Sequence, residues 1–444
     1  MQTVSYSKKA VLILHLGILF ITLFGVTESY CKIITLDTLE KQAIEHSPDL
    51  DKYFIETKLQ QERLEEQQYD FYPTLRAQGN SEYSSDLSDG WGSVVSVGDV
   101  VQSTGTKYQN SMSVRTNYVL YDFGIRVQKE LALKKAILAS KSTAQAEILK
   151  LRLNVLQTYS AAMSLSEQIH NLQKIIQYTY ELKQVYDRLL TAGKKGPVDT
   201  ARQYVELKRK ENELSLREFE FDKKLEELSF YTGASFSSDI EFSELPRPDL
   251  TDLLFDIDKH PSVERYSYEL SSKQAETAAA EGEYFPKLSL YGSYLLYGSD
   301  NEDMVKSYED ISESNFKVGV SLVIPLSDAL RNKHKVQQSQ LAEQRIRAEK
   351  RKLKEQLQTE LNISQRQYKY LVNDQKQKKE MVNILEKELT MLDRLKKAKE
   401  IDAEIAIRRS IVLLEQKTAL NKSVIELSHE LLRLQYQMEA TNHE

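Results

Sequence analysis

The 444-residue chain has one cysteine, Cys31, one tryptophan, Trp91, only 8 prolines and only 15 glycines. A single cysteine excludes an intramolecular disulfide framework. Sparse proline and glycine exclude a fold made of many tight turns. After the first two dozen residues no long apolar run remains, and 28% of residues are charged. An α-helical membrane bundle, which needs runs of about 20 apolar residues, is thereby excluded. The net charge of -6 argues against a nucleic-acid binder, which would carry a dominant basic face. The seven histidines are scattered and never at metal-ligand spacing. No glycine-rich loop follows a strand to cradle a nucleotide. The chain therefore reads as neither an enzyme nor a cofactor carrier.

What is present begins with an N-terminal leader. Lys8 and Lys9 precede an apolar run from Ala10 to Phe24, and Thr27 and Ser29 are small residues suited to a cleavage site, so 1–29 read as a secretory signal peptide. Tyr30 is bulky where a lipoprotein signal wants a small residue, which disfavours a lipid on Cys31.

Proline removes a helix hydrogen bond and clashes with the preceding turn, so the proline-free stretches mark where long helices can run. These are 125–192 and 331–397, each about 100 Å long at 1.5 Å per residue, with returning helices at 198–231 and 402–438. Both long stretches carry seven-residue spacing. Ile148, Val155, Ala162, Ile169 and Ile176 form one series, and Leu361, Tyr368, Val382 and Leu389 another. This is coiled-coil periodicity.

The chain also repeats itself. The interval from Pro48 to Pro261 recurs from Pro73 to Pro286 and from Gly79 to Gly292. Two halves, 30–233 and 250–444, share one plan across a 234–249 linker: helix, strand, loop, strand, long helix, returning helix. Strands are expected near 73–83, 110–121, 286–297 and 315–326, where residues alternate with period two. Leu75, Ala77 and Tyr83 alternate with Arg76 and Gln78; Val114 and Thr116 with Arg115 and Asn117; Val318 and Val320 with Lys317 and Ser321. Each is close to the ~9–11 residues of a transmembrane β-strand. Alternation of that kind puts an apolar face toward lipid and a polar face toward a wet lumen. Arg76, Gln78, Arg115, Asn117, Lys317 and Ser321 are the candidate lumen residues. Four strands cannot close a barrel with a wide lumen, and an open edge in lipid is forbidden. Three chains would supply twelve. The loops between the strands, 84–109 and the acidic 299–314, are then expected outside the cell.

Several motifs resemble a known family. Ser47-Pro48 and His260-Pro261 open helices that end at Tyr72-Pro73-Thr74-Leu75 and Phe285-Pro286-Lys287-Leu288. Tyr118-Val119-Leu120-Tyr121-Asp122-Phe123-Gly124 and Ile324-Pro325-Leu326 follow. Together they resemble the TolC-type outer-membrane efflux family over nearly all of the mature chain. The resemblance implies an α+β membrane protein: a homotrimeric twelve-stranded barrel in outer-membrane lipid, continued by a coiled-coil helical tunnel through the periplasm. It implies a periplasmic adaptor (membrane fusion) protein as partner, and an inner-membrane pump or ABC transporter behind it. In such a channel Gly193, Lys194, Lys195, Gly196 and Asp199 form a candidate adaptor-docking tip. Asp402 and Glu404 form a candidate periplasmic constriction, with Asp402 also suited to cap the returning helix. Two departures stand out. Asp328-Ala329-Leu330 lacks the glycine of Asp122-Phe123-Gly124, and the second tip, 398–402, is shorter and has none. The rival reading is a periplasmic or secreted coiled-coil scaffold without a pore.

Overall fold

A computed structural model describes residues 33–83, 107–248, 255–311, 313–326, 328–397 and 402–441. The leader, Cys31, Trp91 and most of the first loop lie outside the described residues. In chain order the elements are β1 (Ile33–Ile34), α1 (Leu36–His46), α2 (Pro48–Tyr69), β2 (Thr74–Tyr83), β3 (Tyr108–Tyr121), α3 (Ile125–Thr191) and α4 (Pro197–Thr232). There follow β4 (Glu241–Phe242), α5 (Pro261–Gly282), β5 (Lys287–Asp300), α6 (Met304–Glu309), β6 (Glu313–Val323), α7 (Asp328–Lys397) and α8 (Ala403–Glu439), with a 3₁₀ turn at Ile257–Lys259. Among the described residues, no helix is long and apolar enough to cross a membrane.

The chain divides into two compact units. One comprises the described residues of 33–46, 152–248 and 369–432. Its core is lined by Leu39, Ala43, Val155, Leu156, Tyr159, Ala162 and Leu228, all buried. At its centre two short strands pair in parallel, Ile33 with Glu241 and Ile34 with Phe242. Tyr159 holds them: its phenol donates to the Ser243 carbonyl at 2.7 Å and faces the Ile34 carbonyl at 3.0 Å. Its ring stands edge-on to Phe242, 5.2 Å between centroids. Burial pushes the phenol up to about 12, so it stays a neutral donor at any physiological pH. Nearby, Arg152 bonds the shielded Glu40 carboxylate at 2.8 Å, which keeps that acid from being an uncompensated buried charge.

The second unit comprises the described residues of 47–151, 255–368 and 433–441. Its sheet runs β2-β3-β5-β6, antiparallel throughout. Cross-strand partners share a face, so the register sorts the side chains. Arg76 pairs with Arg115, Arg115 with Ser293, and Ser293 with Lys317. Gln78 pairs with Ser113, Asn117 with Tyr291, and Ser289 with Ser321. The opposite face is apolar and open: Leu75, Phe316, Val318 and Val320 are 62–74% exposed.

Helix starts in this unit follow local chemistry. Ser47 caps α2 by accepting from the Leu50 N–H at 3.4 Å, with Pro48 in the first turn. His260 caps α5 through Nδ1, which accepts from the Ser262 N–H at 3.3 Å, and burial pushes its imidazole down to about 4. Asp122 makes the strand-to-helix corner into α3. Its carboxylate accepts from the N–H of Gly124 at 3.2 Å and of Arg126 at 3.1 Å, and pairs with the Arg126 side chain at 2.9 Å. The corner places Phe123 at φ 54 and Gly124 at φ 83, and the Phe123 ring stacks on Phe285 at 4.8 Å. A left-handed bulky residue is unusual, and the ring stack compensates it. In the second half α7 begins at Asp328 instead of Arg331, and among the described residues just before it none takes the left-handed conformation.

The acidic segment 299–314, expected to be a loop, corrects that expectation. β5 continues to Asp300 and the short α6 follows. Its acids do local work: Asp300 accepts from the N–H groups of Glu302 and Asp303 at 2.7 and 2.8 Å, and Asp303 caps α6 from Val305 at 2.9 Å. The helix folds onto the apolar side of the sheet, where Ser307 bonds Asn110. Gly298 permits this, since a Cβ there would collide with the Ser307 carbonyl.

Replacing Tyr159 with phenylalanine removes the donor between β1 and β4 while keeping the ring. Leaving a buried carbonyl without its partner costs about 1–3 kcal/mol, so urea unfolding of Tyr159→Phe should show a loss in that range. An unchanged midpoint would mean the strand pair is held without the phenol.

Candidate functional site

The functional candidates fall in three places: the hairpin between α3 and α4, the start of α8, and the polar face of the sheet. The hairpin is built by glycine and proline. Gly193 adopts φ 70, the left-handed conformation that closes a helix C-terminus. The N–H groups of Lys194 and Lys195 then turn back to the Leu189 carbonyl at 2.8 and 3.3 Å. Gly196 is the N-cap of α4, with Pro197 in the first turn. The Asp199 carboxylate accepts from the Gly196 N–H at 3.4 Å. Asp199 therefore works first as the box that starts α4, and Gly193 and Lys194 are left exposed at the tip.

Asp402 immediately precedes α8, and its carbonyl accepts from the Ile405 N–H at 3.2 Å. Glu404 is less free than sequence reasoning suggested. Its Oε1 accepts from the Tyr186 phenol and from Arg408 Nε at 3.1 Å, and its Oε2 lies 3.4 Å from Lys195 Nζ. Arg408 Nη2 also donates to the Tyr186 oxygen at 2.8 Å. Partial burial works to raise the Glu404 pKa, but the bonds from Tyr186 and Arg408 and the charges of Lys195 and Arg408 outweigh it, leaving it below the usual carboxylate range. The Glu404 charge in turn raises the Lys195 ammonium. Beneath this cluster Leu182, Tyr186 and Ile407 form a small buried core with Val185 and Ile411 packed on it. The structure thus joins Lys195 of the tip set to Glu404 of the constriction set. Sequence reasoning named both residues and missed their bond; it missed Tyr186 and Arg408 as partners altogether, although Arg408 stands one helical turn from Glu404.

The six polar strand residues all lie on one face of the sheet. Arg76, Arg115 and Lys317 share a single cross-strand row, and none forms an ion pair among the described residues. Among the described residues no group of three His, Cys, Asp or Glu side chains could hold a metal ion.

The elements that stand out are an open four-stranded sheet with one apolar and one polar face and two helices of 67 and 70 residues. Solved structures of outer-membrane channel proteins share this fold. VceC of Vibrio cholerae superposes with a TM-score of 0.74 at 13% identity, covering 91% of this chain and 95% of that one. The open-state MtrE channel of Neisseria gonorrhoeae gives 0.72 at 15%, covering 91% and 88%. The CmeC channel of Campylobacter jejuni gives 0.72 at 14%, covering 92% and 87%. At such identities the likeness carries the fold alone. No curated protein matches in sequence. The family model described as "Outer membrane efflux protein" matches residues 39–234, a little under half of the chain.

Glu404→Gln keeps the shape of the cluster and removes its negative charge. A carboxylate whose pKa is lowered by folding stabilises above its unfolded value, 4.5, and loses that contribution as pH falls through the folded one. The variant should therefore be less stable than the wild type at pH 7, by about 1 kcal/mol or less because solvent screens the pairs. The difference should narrow as pH falls below 4.5 and close once the folded-state carboxylate is protonated. A gap that persists at acid pH would assign Glu404 a packing role only.

Proposed function

We propose that this protein is the exit duct of a tripartite export assembly. In this reading three copies join their four-stranded sheets into a twelve-stranded barrel, and the long helices of two internal repeats continue it as a periplasmic tunnel. The observation that carries the reading is the sheet itself. It presents an apolar face to the outside, a polar face behind it, and two outer strands, β2 and β6, with no further strand beside them among the described residues. Unpaired backbone groups cannot remain in hydrocarbon, so neighbouring copies are needed to pair them. Exposed apolar side chains on α7, such as Ile384 and Met391, fit a helical wall shared between copies.

The α3–α4 hairpin, with Gly193, Lys194, Lys195, Gly196 and Asp199, is then the docking tip for a periplasmic adaptor, which couples the duct to an inner-membrane pump or ABC transporter. Three copies of Asp402 would ring the periplasmic mouth, and like charges in a narrow site attract cations. Glu404 contributes less there, since Arg408 and Lys195 compensate it. Whether the cargo is a small molecule or a secreted protein follows from the class of inner-membrane partner that co-purifies. A scaffold without a pore does not explain why one face of the sheet is polar along its length.

The direct experiment is mass determination after detergent extraction, which should yield a trimer. A monodisperse monomer with the same helix content would overturn the architecture. The sheet offers a second check. Arginine in place of Leu290 or Val320 on the apolar face should cost about 2–4 kcal/mol if the residue lies near the bilayer midplane. Arginine at Ser321, on the polar face, should be tolerated. Equal tolerance at all three positions would place the sheet outside lipid.

A further inference from the structure

The polar face of the sheet carries an uncompensated basic row, and its register is unusual for a wall that needs only to be wet. Arg76 on β2 stands directly opposite Arg115 on β3, Arg115 opposite Ser293 on β5, and Ser293 opposite Lys317 on β6. With strands about 4.8 Å apart, the row crosses the sheet in roughly 15 Å. Like charges directly opposite on neighbouring strands are destabilising, and here the Arg76–Arg115 pair is retained with no acid to relieve it. Among the described residues none of the three cations makes an ion pair. Acids occur on the same register only toward the loop end of the sheet: Glu82 pairs with Gln109, and Glu313 with Tyr297. At about 3.3 Å per residue, Glu82 lies roughly 20 Å along the strand from Arg76, and Glu313 roughly 13 Å from Lys317. The screening length at physiological salt is about 8 Å, so these acids leave the row positive. Arg76 and Lys317 are exposed and Arg115 is half-buried, so the charges face solvent.

We propose that Arg76, Arg115 and Lys317 form an anion-binding row on the lumen wall, a site for multivalent anionic groups such as phosphates or clustered carboxylates on passing cargo. Rings of arginine and lysine are a physical means of favouring anions in a pore. Closing three sheets into a barrel would bring three copies of the row onto one wall and strengthen its field. The inference rests on the duct reading, since only a closed barrel makes the polar face a lumen. It is separate from the Asp402 carboxylates, which lie in the other compact unit and carry the opposite sign.

The experiment is single-channel recording of the full-length protein in planar bilayers, with inorganic tripolyphosphate added to each compartment in turn. From the barrel side, the wild type should show concentration-dependent block that weakens as potassium chloride is raised. In the triple variant Arg76→Gln, Arg115→Gln, Lys317→Gln the blocking concentration should rise at least about tenfold. Ser293→Glu, which keeps all three cations and places an acid among them, should raise it similarly. Arg76→Lys with Arg115→Lys should leave block in place, because charge and not guanidinium shape carries it. Unchanged block in both the triple and the Ser293→Glu variants, each still forming conducting trimers, would overturn the row. An absence of any conductance from correctly inserted wild-type protein would instead overturn the duct reading beneath it.

Discussion

Everything distinctive about this chain follows from the obligation of backbone N–H and C=O groups to find partners where there is no water. A sheet meeting that obligation in lipid must close on itself, and four strands of 10 to 14 residues are too few to do so around a wide lumen. The apolar face of β2, β3, β5 and β6 and their paired register are complete within one chain, but the pairing of the outer strands is not. The helices face a different constraint. Their backbone bonds are internal, so they can extend for tens of residues in water and need only bury an apolar stripe. That division explains how a chain with 28% charged residues can also carry a sheet with an open apolar face.

The fold was legible in the sequence because proline marks what helices and strands cannot contain. The matched intervals of Pro48 with Pro261 and Pro73 with Pro286 point to two helices that each open on a cap and end before a strand. Period-two alternation placed Arg76, Arg115 and Lys317 on one side, and the register keeps them there. The helix boundaries were visible because Gly193, Gly196 and Pro197 are specific to helix ends. The short α6 was not visible. Six residues give no periodicity, and its acids read as a solvated loop when they in fact cap turns. The corner at Phe123 was visible only as a motif; that a phenylalanine takes the left-handed conformation depends on the Phe285 ring, which lies far away in sequence.

The candidate site was legible as residues and not as bonds. Glu404 looked like a free carboxylate because its partners Tyr186 and Lys195 belong to another helix and another turn. No local spacing connects them. The same holds for Tyr159, one aromatic among 25 tyrosines, whose importance comes from two carbonyls that the sequence places more than eighty residues away on either side. Charge arguments made from a single strand of text treat each ion alone, whereas the folded chain settles Glu404 against Arg408 and leaves the strand cations open.

The pairing of β3 with β5, in which Tyr118 meets Leu290, joins segments separated by both α3 and α4. The ladder at the middle of the sheet cannot begin to form until synthesis has reached β5 and is not complete until it has passed Asp300, whereas the caps at Ser47, Asp122 and Gly196 use neighbours only a few residues away. Contacts of such long sequence separation are slow to form because the loop between them must be closed first. Until that loop closes, β3 and β5 are unpaired and their apolar side chains lack cover, while the helix caps can already form from local contacts. An unpaired apolar strand is open to aggregation, so the order in which the sheet assembles matters as well as the stability of the finished sheet.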